Sequence, residues 1–280
     1  MHSLGNDFMV IDGVSRPFQA QADLIARWGD RHTGIGFDQL LVIDPPTDPT
    51  ADFQYKIYNA DGSEAEQCGN GTRCVTLLAH ELGLTKKTTL KWQSLGGDFA
   101  TYYQQANFAT DMPTPRLGHT DIPFDPTGAE VVGDHQFRVA VDNEQYTFTP
   151  VSMGNPHAVL IMDDIFNIDV PAIGAKLTSH ESFPNRTNVG FCQVIDRQFV
   201  RLRVFERGVG ETLACGTGAC AAVVAAQLLG RVEGRVKVSL PGGKLKVQWP
   251  ESGAPVRMSG PATLSYTGEV SLSQPRHDKS

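Results

Sequence analysis

The feature that most constrains the fold of this chain is an internal repeat. Three short markers occur in the same order in both halves of its 280 residues. Self-similarity of this kind indicates that one structural unit has been duplicated, so we predict two related domains with the same order of elements. The marker pairs are GNDFMVI at 5–11 with GNPHAVL at 154–160, GFDQLL at 36–41 with GFCQVI at 190–195, and CGNG at 68–71 with CGTG at 215–218.

Local sequence patterns predict both strands and helices. Helices are predicted over 20–28, 70–82 and 217–229, and the last two end at Gly83 and Gly230, which suit left-handed caps. Proline-rich stretches at 44–49 and 111–126 predict loops. Short segments rich in β-branched and aromatic residues predict strands at 8–11, 40–43, 53–58, 88–92, 137–141, 158–162, 199–205, 236–240 and 244–249.

The second and third predicted helices are apolar nearly all round, which is typical of a helix that a sheet encloses. We therefore predict an α+β fold of two pseudo-symmetric domains, each a curved mixed or antiparallel sheet wrapped around a central helix. The predicted first domain is 1–117 and carries Cys68, and the second is 118–262 and carries Cys215. The final segment, 263–280, is expected to return to the first domain and to end in a frayed polar tail at 271–280.

Composition excludes several classes of function. The net charge is −7 and no cluster of Lys and Arg indicates a nucleic-acid partner. No apolar run approaches the length of a membrane span, and the first residues do not have the pattern of a secretory signal. The five cysteines are an odd number in a long chain, which favours reduced thiols and a cytoplasmic location.

Cys68 and Cys215 each stand at the start of a predicted helix, in the same Cys-Gly-x-Gly frame. A thiol there meets unpaired backbone N–H groups and the positive end of the helix dipole, which favours the thiolate. Two such thiols, brought together in a cleft between related domains, suit proton transfer on opposite faces of one substrate. A thiolate and a thiol in line can invert a carbon next to a carboxylate, and we expect them to titrate as a coupled pair. The glycine-rich amides beside them would hold that carboxylate.

Metal binding is not predicted. Cys68 and Cys74 are six residues apart, Cys215 and Cys220 are five apart, and neither spacing fits the Cys-x-x-Cys pattern of zinc sites. On a helix the two thiols of each pair would point in different directions. Cys74, Cys192 and Cys220 are instead expected to be small core residues.

Six motifs give this chain a family resemblance: GNDF at 5–8, NADGS at 59–63, CGNGTRC at 68–74, GNPH at 154–157, RTNV at 186–189 and ERGVGETLACGTG at 206–218. From the first residues to about Gly268, the chain resembles the diaminopimelate epimerase family. That family is similar in fold to proline racemases. The resemblance implies a homodimer that interconverts LL- and meso-2,6-diaminopimelate without a cofactor, in lysine and peptidoglycan synthesis.

The resemblance also implies roles for individual residues. Cys68 and Cys215 are the acid/base thiols, which exchange roles with the direction of reaction. Glu206 holds the ammonium at the reacting centre and, with His157, tunes the thiols; Tyr266 is a dimer contact. The distal end of the substrate is gripped by Asn6, Gln39, Asn59, Asn155, Asn188 and Arg207, and the carboxylate cradle is formed by Gly69, Asn70, Gly216 and Thr217.

The chain departs from the family pattern at its start. Only four residues precede Gly5, so the first strand is expected to be shortened or missing, and Ser3 stands where a glycine is expected. Three other functions remain open from the residues alone. They are a racemase of proline, hydroxyproline or another amino acid, a thiol–disulfide redox protein, and a binding module that has kept the fold without the chemistry. The polar set around the thiols favours the epimerase.

Overall fold

The computed structural model describes residues 1–65, 68–104, 107–118 and 120–270, so the predicted polar tail at 271–280 lies outside the described residues. The helices are α1 (Ala22–Gly29), α2 (Gly69–Glu81), α3 (Val170–Thr178) and α4 (Gly216–Leu228). The first eight strands are β1 (His2–Ser3), β2 (Asn6–Asp12), β3 (Gln39–Asp44), β4 (Phe53–Asn59), β5 (Glu64–Ala65), β6 (Thr89–Ser94), β7 (Phe99–Gln104) and β8 (Asn107–Met112). The remaining strands are β9 (Glu130–Gly133), β10 (Gln136–Val141), β11 (Glu144–Ser152), β12 (Pro156–Ile161), β13 (Asn188–Asp196), β14 (Phe199–Glu206), β15 (Gly210–Thr212), β16 (Arg235–Leu240), β17 (Gly243–Gln248) and β18 (Val256–Gly260).

The predicted duplication is visible in how the strands pair. In the first half, β2 runs parallel to β3, β3 antiparallel to β4, and β4 parallel to β6. In the second half, β12, β13, β14 and β16 pair in the same order and with the same senses. The two halves meet where β8 and β18 pair antiparallel, and the predicted α+β class is confirmed.

Strand register corrects one of the three sequence markers. Phe8 of β2 is paired with Gln39 of β3, and its counterpart His157 of β12 is paired with Asn188 of β13. Gln39 therefore corresponds to Asn188, and the predicted match of Gln39 with Gln193 was wrong by five residues. The Gly-Phe dipeptide shared by the two segments is not structurally equivalent, because Gly36 lies in the loop before β3, whereas Gly190 lies inside β13.

Each half encloses a central helix, as predicted. On β3 the alternating side chains divide between two cores, with Leu41 and Ile43 packed in the core of α2 and Leu40 and Val42 in the core of α1. The second central helix, α4, is buried on all sides from Ala219 to Ala226. Burial on both faces explains the continuous apolar run of β3.

The predicted left-handed caps are confirmed, because Gly83 and Gly230 both have a φ of +67°. After α2 the Leu84 N–H donates to the Ala79 carbonyl at 2.9 Å, which closes the helix end. None of the described helices combines the length and apolar character needed to cross a membrane.

Helix α3 was not predicted from the sequence. Its N-cap is Asp169, whose side chain accepts a hydrogen bond from the Ala172 N–H at 3.0 Å, and Pro171 occupies its first turn. Gly174 faces the Phe205 ring so closely that a Cβ there would overlap it. Pro171 and Gly174 weaken the helical pattern of this nine-residue segment, although Asp169 and Pro171 form a typical helix start.

The first strand, β1, comprises His2 and Ser3. It pairs antiparallel with β2, and the His2 and Thr263 backbones exchange hydrogen bonds of 3.0 and 2.9 Å. This contact supports a return of the last segment to the first half. The division of the chain at 117 and 262 stays a prediction.

Candidate active site

The N-termini of the two central helices lie side by side. α2 and α4 begin immediately after Cys68 and Cys215, whose backbones are extended. Met258 of β18 contacts both helix starts, since a Cβ on Gly69 would lie 3.0 Å from its Cε atom and one on Gly216 would lie 3.2 Å away. Strand β18, which joins the halves, therefore also brings the two frames together.

Cys215 is 4% exposed and contacts two polar side chains. Its Sγ lies 3.2 Å from Oε2 of Glu206 and 3.6 Å from Oγ1 of Thr217. The other carboxylate oxygen of Glu206 accepts a hydrogen bond from the Thr212 hydroxyl. Glu206 is thus held in place while it accepts a hydrogen bond from the thiol.

Cys68 is partly exposed, and its neighbours come from the first half of the chain. Its Sγ lies 3.7 Å from Oδ1 of Asn6, an atom that also accepts a hydrogen bond from Asn70 Nδ2 at 3.4 Å. The Asn6 amide donates to Asp38 at 2.8 Å. Both thiols therefore sit in polar surroundings, but the carboxylate contact is made by Cys215.

Burial reverses one sequence expectation about the thiols. Their pKa values were expected to fall because of the helix N-termini, but burial raises the pKa of Cys68 and raises that of Cys215 well above its ordinary value. Amides of Asn70 and Gly71 act against burial at Cys68. The Glu206 carboxylate raises the pKa of Cys215 further. The helix amides moderate the cost of ionisation without overcoming it.

His157 reaches Cys215 only through other side chains. It is fully buried, and its Nε2 lies 3.1 Å from Oδ1 of Asn155. Asn155 donates to the Thr217 hydroxyl at 3.3 Å, which in turn lies beside the Cys215 sulfur. Burial, and secondarily the Arg207 charge, lower the pKa of His157 to about 3. His157 is therefore neutral, and its influence on the thiol, for which this chain of side chains is the only contact described, stays a prediction.

Four of the six predicted substrate-grip residues form two separate pairs. Gln39 donates to Asn59 at 3.1 Å between Nε2 and Oδ1. Asn188 is buried, with its amide donated to the Pro156 carbonyl at 3.2 Å and its Oδ1 accepting the Arg207 N–H at 3.0 Å. Asn188 thereby fixes the loop that carries Arg207, whose side chain is exposed. Direct contact of these residues with a substrate stays a prediction.

Strand register shows that the site is itself duplicated. Leu40 pairs with Tyr58 in the first half, and the corresponding Val189 pairs with Phe205 in the second. The equivalent positions are consequently Asn6 and Asn155, Gln39 and Asn188, Asn59 and Glu206, and Cys68 and Cys215. The pair of Asn59 and Glu206 matters for the chemistry, because an uncharged amide in the first half corresponds to a carboxylate in the second.

Two residues in contact with this site were not predicted to belong to it. Thr212 bonds Glu206, and Arg73 bonds Asn70 through a fully buried guanidinium. Arg73 could have been singled out from the sequence, because it is a charged residue within a predicted helix that is otherwise largely apolar. Cys74, Cys192 and Cys220 are buried core residues, as predicted. Over the described ranges, no three His, Cys, Asp or Glu side chains are grouped to hold a metal ion.

Tyr266 lies away from the thiols. It is 67% exposed and lines an apolar cavity of about 540 Å³ together with Met9, Leu264 and Val270. Its predicted role at a dimer contact stays a prediction.

The duplicated fold places the chain in the class of proline racemase-like α+β proteins. A solved structure of a probable proline racemase from Agrobacterium radiobacter K84 matches with a TM-score of 0.67 at 15% identity, covering 97% of this chain and 92% of that one. At this identity the likeness concerns the fold alone. The predicted fold class is confirmed.

Sequence relatives define the family. A family model described as diaminopimelate epimerase matches residues 1–117 and 149–265. The diaminopimelate epimerase of Pseudomonas syringae pv. tomato is 48% identical over 273 residues, 97% of this chain and 98% of that protein. That of Ectopseudomonas mendocina is 47% identical over the same shares. This chain belongs to the diaminopimelate epimerase family, and the predicted family and isomerase class are confirmed.

Proposed function

We propose that this chain interconverts LL- and meso-2,6-diaminopimelate by moving the α-proton between Cys68 and Cys215. The observation that carries the proposal is the pair of thiols at adjacent helix N-termini, one of which donates to Glu206. Family membership supplies the substrate, and the site geometry supplies the proton-transfer groups.

The reaction needs one thiolate and one thiol. In one direction the Cys68 thiolate takes the α-proton, and the electron pair of the broken C–H bond delocalises into the carboxylate as an enediolate. The Cys215 thiol then gives its proton to the opposite face of the carbon, which leaves Cys215 as the thiolate and Cys68 as the thiol. The reverse direction uses the same groups in exchanged roles.

The helix N-termini take the place of an external electron sink. Backbone N–H groups at Gly69, Asn70, Gly216 and Thr217 would hold the substrate carboxylate and stabilise the charge that develops on it. Glu206 would hold the ammonium at the same carbon. A negative Glu206 beside Cys215 also keeps that thiol protonated and ready to donate.

The polar residues around the thiols favour diaminopimelate over proline. Proline has no second amino-acid end, so it needs no distal set of amides and guanidinium. Asn6, Asn59, Asn155 and Arg207 provide such a set on both halves of the site. A redox pair of thiols would need neither this set nor the glycine-rich cradle.

The test is NMR of the reduced protein with LL-diaminopimelate in D2O, following α-deuterium uptake and the meso product. Deuterated meso isomer is expected from the wild type, and its formation should be abolished in C68A and in C215A. The matched control is C192A, which removes a buried thiol outside the site and should keep the activity. Exchange of proline instead of diaminopimelate, or activity that survives loss of either thiol, would refute the proposal.

We also propose a homodimer that uses the face around Tyr266, and a cytoplasmic location. Support for the dimer comes from partly exposed apolar side chains at one cavity, where Leu82 is 48% and Val270 is 39% exposed. The five free cysteines support the location. Sedimentation should show that Tyr266→Ala weakens the dimer, whereas Val131→Ala, at an equally exposed position elsewhere, leaves it intact.

A further inference from the structure

Arg73 is a charged side chain buried completely beneath the N-terminus of α2. Its Nη2 donates to Oδ1 of Asn70 at 2.6 Å and to Oγ of Ser3 at 2.7 Å, and its Nη1 donates to the Gly69 carbonyl at 3.2 Å. Burying a charge is costly unless hydrogen bonds compensate it, so this guanidinium is held in one position.

These contacts connect Arg73 to the first thiol. Because Arg73 holds Oδ1 of Asn70, the amide nitrogen of Asn70 is left to donate to Asn6, at 3.4 Å. Asn6 Oδ1 in turn lies 3.7 Å from the Cys68 sulfur. The guanidinium therefore orients one predicted cradle residue and, through it, a neighbour of the thiol.

Ser3 anchors the other side of the guanidinium. Its hydroxyl donates to the Pro261 carbonyl at 2.8 Å while it accepts from Arg73, so β1 and the segment after β18 both fix Arg73. The Ser3 hydroxyl thus gives the buried charge a hydrogen-bond partner from outside α2.

The two halves of the site differ in charge. Counting from the equivalent thiols, Arg73 corresponds to Cys220, which is uncharged because burial raises its pKa to about 12. Glu206, which bonds Cys215, corresponds to the uncharged Asn59. The duplicated frame therefore carries a cation that reaches one thiol through Asn70 and Asn6, and an anion in direct contact with the other.

From this asymmetry we propose that Arg73 is a positioning residue, which orients Asn70 and provides the charge that makes Cys68 the thiol ionised first. The inference rests on the proposed two-thiol reaction. Besides Arg73, three titratable groups interact electrostatically with Cys68, namely Tyr55 of β4, Cys74 of α2 and Glu206 of β14. Tyr55 and Cys74 are both neutral, because burial raises their pKa values, and Glu206 opposes ionisation of Cys68. Arg73 is the cation in this set.

The experiment measures the alkylation rate of each thiol by iodoacetamide against pH, with peptide mass spectrometry to separate Cys68 from Cys215. Wild type, Arg73→Gln, Arg73→Lys and the control Arg257→Gln are compared, the last because Arg257 is an exposed arginine paired with Asp111. Circular dichroism verifies that each variant is folded. Deuterium exchange into diaminopimelate is followed separately on the same samples.

In the wild type, Cys68 should react at lower pH than Cys215. Arg73→Gln should move the Cys68 profile up by about one pH unit without moving that of Cys215, since loss of a nearby opposite charge shifts a pKa by this order. Arg73→Gln should also lower the rate of deuterium exchange, because Asn70 loses the donor that orients it. Arg73→Lys keeps the charge and should restore the Cys68 profile, but its exchange rate should stay low because an ammonium cannot replace the planar fork.

Three results would overturn the inference: Cys215 reacting first in the wild type, equal shifts of both thiols in Arg73→Gln, or no shift at all. The first of these results is measured on the wild type alone, so the inference can be tested even if Arg73→Gln does not fold. Failure of the proposed function is a different result, namely absence of exchange in a wild type whose Cys68 still reacts first.

Discussion

The Cys215 thiol donates a hydrogen bond to Glu206, with 3.2 Å between Sγ and Oε2, whereas the side chain next to the Cys68 sulfur is the uncharged Asn6, 3.7 Å away. A carboxylate that accepts from a thiol stabilises the protonated form of that thiol. The duplicated fold thus presents two similar thiols in different electrostatic environments. This difference suits a reaction that needs one base and one acid at the same moment.

Replacing Glu206 with Gln should lower the pKa of Cys215, because the variant removes the negative charge that raises it. The alkylation profile of Cys215 should move to lower pH, and epimerisation should fall at least about 100-fold, the usual effect of removing an acid/base partner. Glu211→Gln is the matched control, since Glu211 bonds Arg203 instead of a thiol. An unchanged Cys215 profile in Glu206→Gln would contradict this assignment.

Thr217→Val should act on the same thiol with the opposite sign. The Thr217 hydroxyl lies 3.6 Å from the Cys215 sulfur and lowers its pKa, so loss of the hydroxyl should move Cys215 alkylation to higher pH. Thr217→Ser keeps the hydroxyl and should resemble the wild type. If Val and Ser variants shift the profile equally, the hydroxyl has no role in the ionisation of Cys215.

His157 should make the fold sensitive to acid. Its pKa is lowered from an ordinary 6.5 to about 3, so between these values the unfolded chain binds a proton that the native protein does not. Native stability should therefore fall as the pH drops from 6.5 toward 3, by up to about 1.4 kcal/mol per pH unit. Urea unfolding at several pH values should give a shallower slope for His157→Gln.

The control for that series is His32→Gln, which changes an exposed histidine. It should keep the slope of the wild type. Equal slopes in the wild type and in His157→Gln would mean that His157 is protonated in the native protein.

Patterns within short segments were sufficient to predict the central helices and the thiols. The predicted helices at 70–82 and 217–229 differ from α2 and α4 by one residue at each end. The Cys-Gly-x-Gly frames located both thiols because the physics of a helix N-terminus is local. Six of the nine predicted strands lie wholly within observed ones, and the three others extend past an observed strand by one residue at one end.

What the sequence could not provide depends on contacts between distant segments. The match of Gln39 with Asn188 follows from strand register. The sequence suggested a different match because the similar segments that begin at Gly36 and Gly190 lie in a loop and in a strand, respectively. The raised pKa of each thiol comes from burial, and burial of Arg73 depends on Ser3 and Pro261, residues far from it in the chain. Local patterns do not measure desolvation, so they predicted the wrong direction for the thiols.

Gly71 is where the start of α2 is most tightly packed, because an added Cβ would collide with the Tyr55 hydroxyl. That hydroxyl lies 3.4 Å from the Cys68 carbonyl, so a collision would push the helix start and displace the thiol. Gly71→Ala should therefore lower both the melting temperature and the epimerisation rate. The double variant Gly71→Ala, Tyr55→Phe removes the closest colliding atom and should recover part of both losses, because two Leu41 methyl groups still lie 3.1 and 3.3 Å from the added Cβ.

Gly133→Ala is the control for this pair, because the nearest atom to a Cβ at that position, Oε1 of Gln136, lies 3.7 Å away, which is an ordinary contact distance. It should leave melting temperature and rate unchanged. Recovery in the double variant is the deciding result, since a general intolerance of alanine at the helix start would persist without the hydroxyl. A double variant as impaired as Gly71→Ala would show that space beside Tyr55 is not what requires glycine at this position.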